Sequence, residues 1–114
     1  MQLHYLEYVT KEVDAVADTF AAANGVSFSA PVPELGNART ATVGAGYTVG
    51  VRAPMHDAEI PVVRPYWLVP DIKAALEKVE AAGGFVALPG LEIPGRGMCA
   101  IYIQGGNEHG LWQL

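Results

Sequence analysis

Residues 64–84, "RPYWLVPDIKAALEKVEAAGG", hold a strand, a break and a helix in succession. Tyr66 to Val69 is an aromatic and β-branched run of the kind that favours a strand. Pro70-Asp71 interrupts it, and Asp71 is placed to cap a helix in which Ile72, Ala75, Leu76 and Val79 form one apolar stripe, ending at Gly83-Gly84. Side chains alternate along a strand, so Arg64, Tyr66 and Leu68 share one face and Pro65, Trp67 and Val69 the other. If Val69 packs beneath the helix that starts near Asp71, Arg64 and Tyr66 face a cavity on the opposite side. A fixed cation beside a phenol suits a carboxylate, a phosphate or an enolate on a small ligand. The competing reading is an internal ion pair, with Arg64 neutralising Glu7 or another acid at the cavity mouth.

The first half of the chain repeats this plan. "HYLEYV" (4–9) reads as a strand and "TKEVDAVADTFAAANG" (10–25) as a helix, with Thr10 as its cap, Gly25 as its stop, and Val13, Val16, Ala17 and Phe20 on one face. The two strand–helix units lie roughly 60 residues apart, a period suited to a duplicated supersecondary module. Short apolar segments punctuated by glycine and proline follow each helix. They are "ARTATV" (38–43) and "YTVGVRAP" (47–54) in the first half, and "FVAL" (85–88), "MCAIYIQ" (98–104) and "GLWQL" (110–114) in the second. The order is therefore strand, helix, then two or three strands, repeated. "SFSAPVPELGN" (27–37) reads as a loop, and "PMHDAEIP" (54–61) as the connector between a first module of about 1–60 and a second of about 61–114 within one domain.

Whole-chain properties narrow the function. At 114 residues, 51% hydrophobic and 17% charged, the chain has the length and composition of one compact domain with its own core. A net charge of −5 with no Lys/Arg cluster argues against nucleic acid. The apolar runs are too short to span a bilayer. The sequence opens directly into patterned residues without a basic and then apolar leader, so a cytoplasmic location is expected. Cys99 is the only cysteine, which leaves no internal disulfide or Cys-rich zinc site, and its apolar neighbours suit a buried thiol.

The duplicated βαβββ plan, "VPDIKAALEKVEAAGG" (69–84), and the tail "IPGRGMCAIYIQGGNEHGLWQL" (93–114) with its turns at Pro94-Gly95 and Gly106 together resemble the vicinal oxygen chelate superfamily of glyoxalase, bleomycin-resistance and extradiol dioxygenase proteins. The resemblance covers essentially the whole chain and implies an α+β fold in which two βαβββ modules curl into an incomplete barrel around a small-molecule site. It also implies a homodimer, which would cover open strand edges and apolar cavity walls. Metal-dependent members place His, Glu or Gln at the starts of the module-opening strands and on late strands. Here Arg64 stands at one such place, and a guanidinium has no lone pair to give a metal; Gly110, before Leu111, stands at another. His4 and Glu7 remain at ligand-like positions in the first strand, but a tight site needs about three protein ligands. No metal and no other cofactor are therefore expected.

The candidate ligand-binding residues are Arg64 and Tyr66, then Arg52 as a second cation, and Tyr47, Tyr102 and Trp112 as stacking walls. Arg52 also reads as a solvated arginine at a strand end. His4 and Glu7 are the candidates for a catalytic base. His56 and His109 lie in turn-like sequence, and "GGNEHG" (105–110) lacks the following helix that a phosphate loop needs. Three classes stay open. One is a metal-free binding protein for an anionic or enolisable small molecule. Another is a glyoxalase-like lyase or isomerase, or a dioxygenase-related enzyme, with an atypical metal site or with Glu7 or His4 as base beside Arg64. The third is a structural or regulatory dimer.

Overall fold

A computed structural model describes residues 1–114 and resolves two compact units. The first comprises Tyr5–Val63; the second comprises Met1–His4 together with Arg64–Leu114.

In the first unit β1 (Leu3–Val9) leads into α1 (Val13–Asn24), a 3-10 turn (Pro33–Leu35), β2 (Arg39–Val43) and β3 (Tyr47–Arg52). β3 is the central strand of the ladder, parallel to β1 and antiparallel to β2. α1 ends where Gly25 turns into the left-handed region at φ 67° and donates its N–H to the Ala21 carbonyl at 2.9 Å. Its start differs from the sequence reading. Glu12 holds the capping position without a side-chain bond, while the Thr10 hydroxyl, two residues earlier, accepts from the Glu12 N–H at 3.0 Å. The predicted apolar face buries only Ala17 fully; Phe20 packs edge-on against Tyr8 and Phe28.

Two strands follow α1, not the three of a full βαβββ module. The physical reason lies in residues 27–37. Pro31 and Pro33 have no N–H to give a ladder, Gly36 turns left-handed at φ 67°, and the segment's only strand-type pairing is an isolated bridge from Val32 to Ala38.

The second unit carries the complete module: β4 (Val62–Leu68), α2 (Ile72–Ala81), β5 (Phe85–Ile93), β6 (Gly97–Gln104) and β7 (Asn107–Gln113). Its ladder runs β4-β7-β6-β5, with β4 parallel to β7 and the remaining pairs antiparallel. The Asp71 carboxylate caps α2 by accepting from the Ala74 N–H at 3.2 Å, as its position after Pro70 predicts. Ile72 and Leu76 then bury against Ala100 and Leu111, with Val69, Ala75, Val86 and Tyr102 around them. Val69 thus packs beneath α2, the arrangement the strand alternation anticipates. Cys99 is buried.

Neither ladder closes on itself; each ends on an edge strand, β2 in one unit and β5 in the other. No helix is long and apolar enough to cross a membrane.

Candidate ligand-binding site

In the second unit register alone sorts the side chains into two faces, because directly paired residues point the same way. Tyr102 pairs with His109 and Ala100 with Leu111; these belong to the face that α2 covers. The opposite, helix-free face is built in rows that cross the strands. Tyr66 of β4 pairs with Gly110 of β7, Gly110 with Ile101 of β6, and Ile101 with Leu88 of β5. Two residues along, Leu68, Trp112, Cys99 and Leu91 form a second row. On the other side Arg64 meets Glu108, which pairs with Ile103, which pairs with Phe85.

The face therefore changes character across its width. At the β4 end the Arg64 Nε donates to the Tyr66 hydroxyl at 3.0 Å, and Nη1 donates to Glu108 Oε1 at 3.0 Å. Arg64 is 5% exposed, whereas the Glu108 side chain is 34% exposed. The guanidinium carbon also stands 5.8 Å from the centre of the Tyr66 ring. Tyr66 in turn meets Trp112 edge-on at 5.7 Å, and the His4 ring tilts against Trp112 at 5.1 Å. Burial pushes the His4 imidazole below its ordinary pKa, which favours the neutral ring. At the β5 end the row is apolar and open, with Phe85 67% exposed and Leu91 and Ile103 exposed as well.

Gly110 is the hinge of this arrangement. A Cβ there would lie 2.4 Å from Tyr66 Cδ2 and 2.6 Å from the Pro65 carbonyl oxygen, so only glycine lets the Tyr66 ring lie flat on β7. The same observation tests the metal that the resemblance implies. Arg64 offers no donor electron pair, a side chain at 110 collides with Tyr66, and nowhere do three or more His, Cys, Asp or Glu side chains converge to hold an ion. The residues present do not fit a divalent centre.

The first unit has the same two-faced construction. Tyr8 touches Phe20 of α1 and pairs with Val51, which puts Tyr47, Val49 and Val51 on the helix side. Glu7 pairs with Gly50, and Val9 with Arg52, on the helix-free side. Arg52 is 5% exposed, which corrects the reading of a solvated strand end. Its Nε donates to Glu7 Oε2 at 2.7 Å, and its two terminal nitrogens grip both oxygens of Glu59 at 2.9 and 2.7 Å. Nη1 also donates to the Ala53 carbonyl at 3.1 Å, and the Met55 N–H donates to Glu59 Oε1 at 2.7 Å. Burial works against the Arg52 charge, but the hydrogen bonds it donates to Glu59 and Glu7 and the negative charges of both outweigh it, so its pKa is raised.

Of the sequence candidates, Arg64, Tyr66 and Trp112 come together, with His4 on Trp112. Tyr102 does not join them; it stacks on His109 at 4.7 Å on the α2 side. Tyr47 likewise lies on the α1 side of its ladder, so neither tyrosine is a wall beside the cations. Arg52 and Glu7 form an ion cluster with Glu59. His56 is exposed, and His109 lies on β7, not in a turn. Sequence reasoning missed Glu59 and Glu108. Glu108 had a signal, since it precedes Gly110 by two residues and so shares its face; Glu59 sits in an aperiodic connector and had none.

No family model matches this sequence, and no curated protein matches it in sequence. Solved structures do resemble it. Methylmalonyl-CoA epimerase from Mycobacterium tuberculosis superposes with a TM-score of 0.74 at 13% identity, covering 98% of this chain and 87% of the epimerase. A glyoxalase/bleomycin resistance protein/dioxygenase superfamily member from Vibrio splendidus 12B01 gives 0.69 at 14% identity over 99% of this chain and all (100%) of that one. Streptomyces coelicolor methylmalonyl-CoA epimerase in complex with 2-nitronate-propionyl-CoA gives 0.66 at 14% identity, over 99% and 94%. Shared fold with so little shared sequence is the content of these matches: the chain adopts the fold of the glyoxalase/bleomycin resistance/dioxygenase superfamily.

Proposed function

We propose that this protein binds a small anionic molecule with an apolar body, without a catalytic metal, and that Arg64 and Tyr66 hold the anionic group. The observation that carries the reading is the gradient across the helix-free face of the second unit, from a buried guanidinium on a phenol to the open side chains of Ile103, Phe85 and Leu91. A charge-assisted bond from Arg64 would anchor a carboxylate or enolate, and burial on the apolar rows would supply the rest. Strands lie about 4.8 Å apart, so the reach from β4 to β6 is about 10 Å, the length of a medium-chain carboxylate. One relative of this fold was captured with a nitronate-bearing CoA ligand, a planar anion on a long body, which accords with this chemistry.

Octanoate is a suitable probe. Wild type should gain thermal stability from it, and Arg64→Met, which keeps the stem and removes the charge, should stay folded and lose that gain. An unchanged octanoate shift in Arg64→Met removes Arg64 from the site. The same proposal includes assembly as a homodimer, supported by the open edge of β5, whose unpaired backbone groups a second copy would cover. A monomer mass by light scattering at micromolar concentration contradicts that part.

A further inference from the structure

The geometry points to Glu108 as a built-in competitor for Arg64, a carboxylate that an anionic ligand must displace and that sets how strongly the site selects for anions. This rests on the binding reading above. Three observations carry it. Glu108 Oε1 sits 3.0 Å from Arg64 Nη1, the distance at which a ligand oxygen would bind. The two partners are unequally buried, with the arginine side chain 6% exposed and the glutamate 34%. A carboxylate that leaves this pair returns to water it already partly contacts, and a ligand carboxylate would take its place on the buried guanidinium. Finally, Glu108 stands in the row Arg64, Glu108, Ile103, Phe85, so it lies on the path between the cation and the apolar strip. Glu108 is the second residue of β7, close to the Gly105-Gly106 turn and the open end of the strand.

Arg52 shows the contrast within the same chain. There the carboxylates are Glu7, only 9% exposed, and a two-pronged Glu59, 18% exposed, whose oxygen is also held by the Met55 N–H.

The test uses the full chain, with octanoate as the anionic probe and 1-octanol as its neutral counterpart, titrated by calorimetry into wild type, Glu108→Gln, Glu108→Asp and Arg64→Met. Removing the competitor should tighten octanoate about fivefold in Glu108→Gln, the factor that about 1 kcal/mol of a partly exposed ion pair represents. Octanol binding should not change, and Glu108→Asp, which keeps the charge, should stay near wild type. A role for Glu108 in folding alone would not separate octanoate from octanol or be rescued by Asp. If Arg64→Met loses octanoate but Glu108→Gln binds it no tighter than wild type, the competitor is overturned and the binding reading stands. If Arg64→Met binds octanoate as wild type does, or no form of the protein binds it, both are overturned.

Discussion

Equivalent positions in the two units carry opposite chemistry. In each, the opening strand lies parallel to the closing strand, and a glycine of the closing strand faces a large residue of the opening one: Gly50 pairs with Glu7, and Gly110 with Tyr66. Two residues further, Arg52 pairs with Val9 where Trp112 pairs with Leu68. The first unit thus has an ion pair, Glu7 to Arg52, at the places where the second has an edge-on aromatic pair, Tyr66 to Trp112. The cation of the second unit sits instead at Arg64, against a phenol and a carboxylate one-third exposed. Two buried arginines on one backbone plan therefore differ in what surrounds them. Arg52 lies between two carboxylates and fastens the connector through Glu59; Arg64 meets a carboxylate that is one-third exposed. Burial alone thus does not distinguish the two cations, whereas the exposure of their counter-ions does: 9% and 18% around Arg52 against 34% at Arg64.

Substituting the two cations breaks the comparison open. Arg52→Met removes the cation that joins Glu7 and Glu59, whose side chains are only 9% and 18% exposed. The expected loss is about 3 to 5 kcal/mol of unfolding free energy, the largest effect in the chain, read by chemical denaturation. A loss below about 1 kcal/mol would place Arg52 among surface pairs and dissolve the contrast.

The paired glycines sharpen it. At Gly50 an added Cβ meets the Tyr5 hydroxyl at 1.7 Å, the far end of a side chain, while at Gly110 it meets the Pro65 carbonyl at 2.6 Å as well as the Tyr66 ring. Backbone cannot step aside as a ring tip can, so Gly110→Ala should cost about 1 to 3 kcal/mol and displace Tyr66. Gly50→Ala should cost less, and denaturation curves of the two variants compare them directly.

The smallest effect concerns pH. Because burial lowers the His4 pKa in the folded protein, the unfolded chain takes up its proton at the ordinary imidazole value and the folded chain only at lower pH. Between the two the unfolded state holds more protons, so stability falls as pH is lowered through that window and levels off below the folded value. His4→Gln should flatten this part of the stability profile; an identical slope in wild type and variant would show that His4 does not contribute.

The second unit was legible in the sequence because its signals are local and periodic. Pro70-Asp71 punctuates the chain, the α2 stripe has helical spacing, and strict alternation put Arg64 and Tyr66 on one face. What was not legible depends on pairings between distant residues. The burial of Arg52 follows from Glu7, 45 residues away, and from Glu59 in a connector without pattern. The separation of Tyr102 from Trp112 follows from the β6–β7 register, which the Gly105-Gly106 turn sets and residue types do not announce. The missing third strand after α1 had its signal in Pro31 and Pro33.

On the proposed function, Arg64 serves a ligand while Arg52 serves the fold. The most direct test of this division is a pair of thermal melts, Arg64→Met and Arg52→Met, each with and without octanoate. Arg52→Met should melt far below wild type, and Arg64→Met should melt much closer to wild type but no longer respond to octanoate. An Arg64→Met variant that loses as much stability as Arg52→Met, or that keeps the octanoate response, would contradict it.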